Sequence, residues 1–299
     1  MNWLKSKKTI AVHDGNFHPD DVFAVAALSI LLLGKIKVIR TREEDKIVKA
    51  DFVVDVGLEY NSKNNRFDHH QEGHAGFRDD KIPYSSFGLV WKNYGEKICG
   101  SRKVAEILDK KLVAVVDADD AGINLINQVI PNLNPFMLTD AVYAMRPTWK
   151  EDPSVINKYF LKAVDFAKEI LLRQIKVTID LVEAEGLIEE VYNNTRDKRI
   201  IIFQEKYLPK ILLCKYSEPV FVVYKEKYGN NWRVTTIDKT EQTFESRQNF
   251  PKSWWGKTGA DLNNISGVTD AIFCRNGGIF AGARSKEGAI MLAEKALDN

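Results

Sequence analysis

Cysteine is scarce in this 299-residue sequence, and its three cysteines form no recognisable site. Cys99, Cys214 and Cys274 are odd in number, far apart and in no C-x-x-C arrangement. Disulfide-stapled proteins and thiolate zinc sites need paired cysteines at short spacings, so the sequence fits neither class. We therefore expect a reducing environment and predict a cytoplasmic protein.

Net charge and long hydrophobic runs are also lacking. Lysines and arginines (43) nearly balance aspartates and glutamates (41), which leaves a formal net charge of +2. No global field attracts nucleic acid, so a polyanion must be bound by a local patch or by metal ions. The longest apolar run, Val22 to Leu33 broken only by Ser29, is too short to span a bilayer. Because no signal-peptide core follows the first ten residues, we expect a soluble, untargeted protein.

Short β-branched runs alternate with helical stretches through the first half of the chain. Alternation of this kind, with strands ending in polar residues, is typical of a parallel α/β sheet. The predicted strands are TIAVH, KVIRT, DFVVDVG and KLVAVVDADD, and the first predicted helix is DDVFAVAALSILLLGK. We therefore predict an α/β fold with a parallel sheet in residues 1–150.

The pattern changes after residue 150. Apolar residues recur at helical spacing from Phe160 to Ile175, which predicts a helical linker over residues 151–185. Residues 186–299 are predicted to form a smaller, mixed α/β domain that ends in a helix from about Lys286. Its predicted strands are RIIIFQ, ILLCK, PVFVVYK and NWRVTTI.

All five histidines lie within 62 residues, from His13 to His74, with acidic residues among them. His13, Asp55 and Asp117 fall at predicted carboxyl ends of strands, where ligands bind in parallel sheets. Imidazole and carboxylate ligands without thiolate suit Mn²⁺, Fe²⁺ or Zn²⁺ better than Ca²⁺ or Mg²⁺. The sequence thus predicts a metal site in the first domain.

The number of Asp and His clusters predicts two ions. Four clusters exceed the needs of one ion, whereas two ions bridged by a carboxylate use about six or seven ligands. Such a pair generates hydroxide near neutral pH and stabilises the attacking and leaving oxygens of a phosphoryl displacement. The predicted chemistry is hydrolysis of a phosphoester or a phosphoanhydride.

Four motifs carry a family resemblance: H-D-G-N-F-H-P-D-D (13–21), V-V-D-V-G (53–57), F-D-H-H-Q (67–71) and D-A-D-D-A-G (117–122). They resemble the motifs of the DHH phosphoesterase superfamily and, more narrowly, of the melanocyte proliferating gene exonuclease family. The likeness spans roughly residues 9–297 and includes S-S-F-G-L-V-W (85–91), F-E-S-R (244–247), P-K-S-W-W-G (251–256) and R-S-K-E-G-A (284–289). The resemblance implies a DHH-type catalytic domain over residues 1–150 and a substrate-binding domain over residues 186–299.

The same resemblance implies roles for particular residues. It implies a two-manganese centre in which Asp55 bridges the ions. His70 would contact the scissile phosphate, and Asp68 would orient a neighbouring imidazole by accepting its N–H. The other ligands would be His13, His18, Asp20, His69 and Asp117. Assignment among His18, Asp20 and Asp21, and among Asp117, Asp119 and Asp120, stays open.

Four residues near the C-terminus are predicted to bind substrate. Arg275 stands where the family tends to carry a His, so a cation is retained, and Arg284 follows nearby. Gly277 and Gly278 lack a Cβ, which would let backbone N–H groups approach a phosphate. The alternative for this dipeptide is a turn between strands.

Three other residues have two possible roles each. Trp254 and Trp255 could stack on bases, but their bulk favours anchoring a core or an interdomain contact. His74 lies among glycines in a predicted loop and faces either solvent or substrate.

The resemblance implies exonucleolytic cleavage, in the 3′ to 5′ direction, of single-stranded RNA or short oligonucleotides. A small-molecule phosphohydrolase acting on pyrophosphate, a dinucleotide or a cyclic dinucleotide is an alternative, since long-strand binders usually show a basic stripe. A non-catalytic metal-dependent binding protein is the third possibility, although the ligand set looks complete for catalysis.

Overall fold

A computed structural model describes residues 6–127, 130–204, 210–240, 243 and 245–298. Phe244, the first residue of the F-E-S-R segment, lies outside the described residues. The chain divides into two compact units, residues 1–179 and 180–299. Each unit contains a five-stranded mixed sheet, so the fold class is mixed α/β.

The first unit starts with the predicted alternation of strands and helices. Its strands are β1 (Lys8–Val12), β2 (Ile36–Arg40), β3 (Phe52–Val54), β4 (Tyr60–Asn61) and β5 (Arg66–Phe67). Its helices are α1 (Pro19–Leu31), α2 (Glu44–Val48), α3 (Ser86–Cys99), α4 (Arg102–Leu108), α5 (Ala114–Asp120) and α6 (Leu138–Tyr143). Helix α7 (Ile156–Asn194) begins in this unit.

The sheet of the first unit has the order β2-β1-β3-β5-β4. Neighbouring strands are parallel from β2 to β5, as predicted, while β4 runs antiparallel to β5 at one edge. Residues Ile10 to Val12 of β1 are fully buried, which explains the continuous apolar sequence of this strand. Helices α1 and α3 pack together, with the Phe23 and Phe87 rings 5.4 Å apart.

One predicted strand is wrong. The segment KLVAVVDADD is helical: α4 continues through a π-helical turn at Asp109–Val113 into α5. Leu108, Leu112 and Val116 are buried, and their spacing of four residues matches one face of a helix. Packing of this face overrides the strand preference of the valines. Asp117 therefore lies on a helix and not at the end of a strand.

The second unit has the predicted mixed sheet and C-terminal helix. Its strands are β6 (Ile200–Phe203), β7 (Phe221–Lys225), β8 (Trp232–Thr236), β9 (Ala271–Cys274) and β10 (Phe280–Ala283). Its helices are the end of α7, α8 (Gly259–Ser266) and α9 (Lys286–Leu297). The strand order is β6-β7-β8-β10-β9, with β6 and β7 parallel and the other neighbours antiparallel. Helix α9 packs on one face of this sheet.

The predicted strand ILLCK is also wrong, because Lys210–Leu213 is a 3₁₀ turn. Leu212 and Leu213 are buried in the same cluster as Ile201 and Phe203. Two adjacent residues of a strand would point to opposite faces, so a turn satisfies this packing better.

None of the described helices is long and apolar enough to cross a membrane.

Candidate metal centre

Three parallel strands deliver polar side chains to one edge of the first sheet. His13, Asp55 and Asp68 directly follow β1, β3 and β5, which are neighbours in the sheet. All three side chains are buried. The predicted placement of His13 and Asp55 at strand ends is therefore confirmed, and Asp68 joins them.

Helix α1 and its N-cap supply three further residues of the centre: His18, Asp20 and Asp21. His18 is its N-cap, Pro19 occupies its first turn, and Asp21 Oδ1 accepts a hydrogen bond from the His18 backbone N–H at 3.1 Å. This capping arrangement fixes the first turn. Asp20 and Asp21 are consequently held fully buried beside the strand ends.

The first cluster of possible ligand atoms comprises His13, His18, Asp21 and Asp55, whose atoms lie within 4.8 Å of one another. His13 Nδ1 lies 2.7 Å from the carbonyl oxygen of Asp14. A carbonyl only accepts, so Nδ1 carries a proton, and the neutral form of the ring, which a metal ion requires, has its lone pair on Nε2. Nε2 lies 2.8 Å from Asp21 Oδ2 and 3.3 Å from Asp55 Oδ2.

The second cluster surrounds His69. Its Nε2 lies 3.1 Å from Asp55 Oδ1, 3.5 Å from Asp120 Oδ2 and 3.7 Å from Asp20 Oδ2. Asp55 thus presents Oδ2 to the first cluster and Oδ1 to the second. Its backbone has a φ of 54°, a left-handed conformation that is uncommon outside glycine and often found at functional sites.

Several buried ligand atoms lack a hydrogen-bond partner among the described residues: His13 Nε2, Asp20 Oδ1 and Asp21 Oδ2. His13 Nε2 and Asp21 Oδ2 are close, but their geometry is not that of a hydrogen bond. Unpaired buried polar atoms are costly. Divalent cations would satisfy these imidazole and carboxylate lone pairs, so the residues fit metal ions.

The electrostatics of the metal-free cluster are strongly perturbed. Burial raises the pKa of Asp21 and of Asp120 to about 6 each. Burial also raises the pKa of Asp20 well above its usual value. Burial opposes a charge on His13, but the Asp21 and Asp55 carboxylates raise the pKa of His13 to about 10. The pKa of Asp55 is lowered, because His13 and His69 outweigh its burial. Without cations, protons compensate the carboxylates.

His70 lies at the rim of the centre. Its side chain is 56% exposed, and its Nδ1 lies 2.8 Å from Asp68 Oδ1. Asp68 also accepts hydrogen bonds from the backbone N–H groups of Leu58, His69 and His70. Burial opposes a charge on Asp68, but the side-chain bond from His70 and the backbone donors of Leu58 and His70 lower its pKa. A firmly held carboxylate therefore orients the His70 imidazole.

The structure does not bring Asp117 into either cluster. Its Oδ2 accepts from Arg78 Nε at 2.7 Å, and its Oδ1 accepts from Ser85 Oγ at 2.5 Å and from the Gly88 N–H at 3.1 Å. All of these partners are donors, so the carboxylate is already satisfied. Of the fourth motif, Asp120 reaches the His69 cluster instead.

Asp119, the second acidic residue of that motif, makes its hydrogen bonds outside both clusters. Its carboxylate accepts from Thr139 Oγ1 and Tyr143 Oη, each at 3.0 Å. Among the acidic residues of the fourth motif, Asp120 is the one that belongs to a described group of possible ligand atoms.

Two residues beside the centre were not singled out from the sequence. Ser86, at the start of α3, donates from Oγ to Asp55 Oδ1 at 3.1 Å and from its backbone N–H to Asp20 Oδ2 at 3.3 Å. Arg146 donates from Nε to the Phe17 carbonyl at 2.5 Å, and its charge helps burial to lower the pKa of His18. No sequence pattern around a serine or an arginine predicts contacts of this kind.

In the second unit, Arg275, Gly277 and Gly278 form the turn between β9 and β10. Gly278 N–H donates to the Arg275 carbonyl at 2.9 Å, and both glycines have positive φ. A Cβ at Gly278 would lie 2.2 Å from Trp255 Nε1. The exposed Arg275 places its guanidinium 5.2 Å from the centre of the Phe280 ring.

Arg284, Trp254 and Trp255 are the other candidates of this unit. Arg284 is exposed and directly follows β10. Trp254 is buried in the core that α9 covers, and Trp255 packs against the same core, as their bulk predicts.

Comparisons with known proteins agree on one family. The sequence model MYG1_exonuc, described as "Uncharacterised protein family (UPF0160)", matches residues 9–297. The "MYG1 protein" of Dictyostelium discoideum is 29% identical, over 98% of this chain and 97% of the relative. The "MYG1 exonuclease" of Homo sapiens is 28% identical, over 98% and 87%. That of Mus musculus is 27% identical, over 99% and 86%.

Proposed function

Because the chain belongs to the MYG1 exonuclease family, we propose that it is a metal-dependent phosphodiesterase that cleaves nucleic acid. More narrowly, we propose a 3′ to 5′ exonuclease that acts on single-stranded RNA or short oligonucleotides with two Mn²⁺ ions. The relatives named exonucleases support the nucleic-acid substrate. The clustered imidazole and carboxylate groups support the metal requirement.

The observation that carries the proposal is the position of Asp55 between two clusters. One carboxylate oxygen lies 3.3 Å from His13 Nε2, and the other lies 3.1 Å from His69 Nε2. A carboxylate with each oxygen in a different ligand group is the arrangement that two bridged ions require.

We assign one ion to the cluster of His13, His18, Asp21 and Asp55. We assign the other ion to His69 and the three carboxylates near its Nε2, those of Asp55, Asp20 and Asp120. When bound, such ions supply an activated water nucleophile and stabilise the charges of phosphoryl transfer. Asp120 replaces the Asp117 of the initial ligand set, because the partners of Asp117 are all donors.

The remaining residues position the substrate. His70 donates to Asp68 through Nδ1, so its other nitrogen is left to contact the scissile phosphate. We also propose that Arg275, Gly277, Gly278 and Arg284 of the second unit bind the substrate. The exposed guanidiniums of Arg275 and Arg284 suit a phosphate backbone.

A smaller substrate is the second candidate function, and the balanced charge of the chain favours it. A phosphohydrolase acting on pyrophosphate, a dinucleotide or a cyclic dinucleotide needs no basic stripe. A salt series separates the two, because affinity for a long strand falls steeply with salt. An affinity that does not change with salt would exclude a long strand as the substrate.

The central experiment measures Mn²⁺-dependent hydrolysis of labelled RNA and DNA oligonucleotides by wild type, Asp55→Ala and Asp45→Ala. Asp45 is an exposed aspartate of α2 and serves as the matched control. We expect Asp55→Ala to lose at least about 100-fold in rate, because several kcal/mol of transition-state stabilisation depend on the metals. Asp45→Ala should match wild type.

Two outcomes would contradict the proposal. Equal activity of Asp55→Ala and wild type would remove the bridging role of Asp55. Wild-type protein that holds Mn²⁺ but hydrolyses neither oligonucleotides nor bis(p-nitrophenyl) phosphate would favour a metal-dependent binding protein.

A further inference from the structure

A cavity of about 680 Å³ lies directly beside the candidate metal centre, within the first unit. His69, His70 and Asp120 form its metal-facing side, while Gln71, Tyr84 and Tyr143 line the rest. Pockets that hold one small molecule typically measure about 300–1,000 Å³. The cavity therefore has the size for a single nucleotide unit.

Gln71, which lines this cavity, has one polar side-chain atom without a partner in the described part of the chain. Its Oε1 is buried and has no hydrogen-bond partner among the described residues. A buried amide oxygen without a donor is costly, because it has lost its bonds to water and gained none in the protein. A ligand that brings a donor to this point would remove that cost, so the atom indicates a specific ligand group.

The position of Gln71 in the chain indicates which group this is. Gln71 directly follows His70, the proposed phosphate contact, so their Cα atoms are about 3.8 Å apart. In a nucleotide, the donors nearest to the phosphate are the hydroxyls of the sugar, and base amino groups lie farther away. A sugar hydroxyl is therefore the donor that fits an acceptor beside the phosphate site.

The aromatic walls suit the base of the same nucleotide. Tyr143 Oη donates to Asp119 at 3.0 Å, and the Arg146 guanidinium lies 4.4 Å from its ring centre. Tyr84 has the cations of Arg78 and Lys92 at 4.9 and 4.4 Å from its ring centre. These cations lie over ring faces, so a base would stack on a face that they leave free.

We propose that this cavity holds the terminal nucleotide of the substrate and that Gln71 selects ribose by accepting a hydrogen bond from the 2′-hydroxyl. The inference rests on the proposed function for the position of the phosphate. It adds a sugar-reading residue to the site. A site built to bond a hydroxyl disfavours the analogue that lacks it, because its buried partner is left unpaired.

Calorimetric binding of adenosine 5′-monophosphate and its 2′-deoxy analogue, with Mn²⁺ present, tests the inference without catalysis. We expect wild type to bind the ribonucleotide at least about tenfold more tightly. Gln71→Met keeps the length of the side chain and removes its polar atoms, so the ratio of the two affinities should fall to about one. Inosine 5′-monophosphate lacks the base amino group and should bind like the adenosine nucleotide.

Gln174→Met is the matched control. Gln174 lies on α7, outside the cavity-lining residues, and accepts a hydrogen bond from Lys111 Nζ at 2.9 Å. This variant should keep the wild-type ratio of affinities. Thermal unfolding of both variants checks that each is folded.

Three results would overturn the inference: equal binding of the two sugars by wild type, equal losses for both nucleotides in Gln71→Met, or a loss of affinity for inosine monophosphate that matches the loss for the deoxynucleotide. Oligonucleotide hydrolysis by the same wild-type preparation tests the proposed function separately. If wild type hydrolyses oligonucleotides but binds the two nucleotides equally, the proposed function holds and the proposed role of Gln71 is wrong. If wild type binds the ribonucleotide more tightly but hydrolyses no oligonucleotide, the cavity binds ribonucleotides and the proposed nuclease activity is wrong.

Discussion

Arg78 and Asp117 form a buried ion pair in which Nε lies 2.7 Å from Oδ2 and the side chains are 8% and 0% exposed. The same guanidinium donates to both oxygens of Asp109, at 2.6 and 3.0 Å. Asp117 in turn accepts from Ser85 at the start of α3. The pair therefore links the loop before α3 to the helical segment that ends in Asp120.

We predict that Arg78→Met costs about 3–5 kcal/mol of unfolding free energy, because it leaves a buried carboxylate without its cation. Arg102→Met is the control, since Arg102 forms an exposed pair with Glu106, with side chains 79% and 59% exposed. Exposed pairs contribute little to stability, because water solvates and screens both charges. Urea denaturation measures both variants, and similar costs would contradict the structural role of Arg78.

Asp117 and Asp120 make opposite predictions for metal content. Asp117→Asn should keep the metal stoichiometry of wild type, because the Asp117 carboxylate is occupied by Arg78, Ser85 and Gly88. Asp120→Asn should reduce it, because Asp120 faces His69 and Asp20. Inductively coupled plasma mass spectrometry after Mn²⁺ loading and desalting measures the difference. Loss of one equivalent from Asp117→Asn alone would restore Asp117 as a ligand.

Gly88 marks the closest approach of α3 to this ion pair. A Cβ at Gly88 would lie 2.2 Å from Asp117 Oδ2, so Gly88→Ala must displace a buried carboxylate and should destabilise the protein. Gly186, on α7, offers the matched case, because a Cβ there meets nothing within 4 Å. Gly186→Ala should stabilise by about 0.5–1 kcal/mol through helix propensity. Thermal unfolding that shifts both variants in the same direction would refute this contrast.

The strand-end positions of His13 and Asp55 were predictable because they depend on local patterns. Each follows a short β-branched run, and parallel strands gather their carboxyl ends at one edge. The placement of Asp117 was not predictable in the same way. The run of leucine and valine before Asp117 is compatible with both a strand and a helix. The segment is helical because Leu108, Leu112 and Val116 are buried on one helix face.

The choice between Asp117 and Asp120 depends on residues remote in sequence. Arg78 lies 39 positions before Asp117, and no local pattern pairs them. Ser86 is a similar case, since its bond to Asp55 spans 31 positions. Such contacts follow from the packing of α3 against the sheet edge, which a single sequence does not reveal.

The charge balance of the centre predicts that metal binding expels protons. In the metal-free protein the Asp21 and Asp55 carboxylates raise the pKa of His13 to about 10, although burial opposes this, and burial raises the pKa of Asp120 to about 6. At pH 7 His13 is therefore protonated, and a metal ion must displace that proton. Ligand protonation competes with metal, so the apparent affinity for Mn²⁺ should rise with pH, up to about tenfold per unit for each proton released.

Calorimetric titrations of Mn²⁺ at pH 7, in buffers of different ionisation enthalpy, count the protons released. We expect about one or more per protein in wild type. His13→Gln should release fewer, because the most basic group of the cluster is removed while a polar side chain is kept. The contrary result would be an Mn²⁺ affinity that stays constant from pH 6 to pH 8 with no protons released. That result would mean that Mn²⁺ does not occupy this cluster, because a bound cation would displace the protons that neutralise its carboxylates.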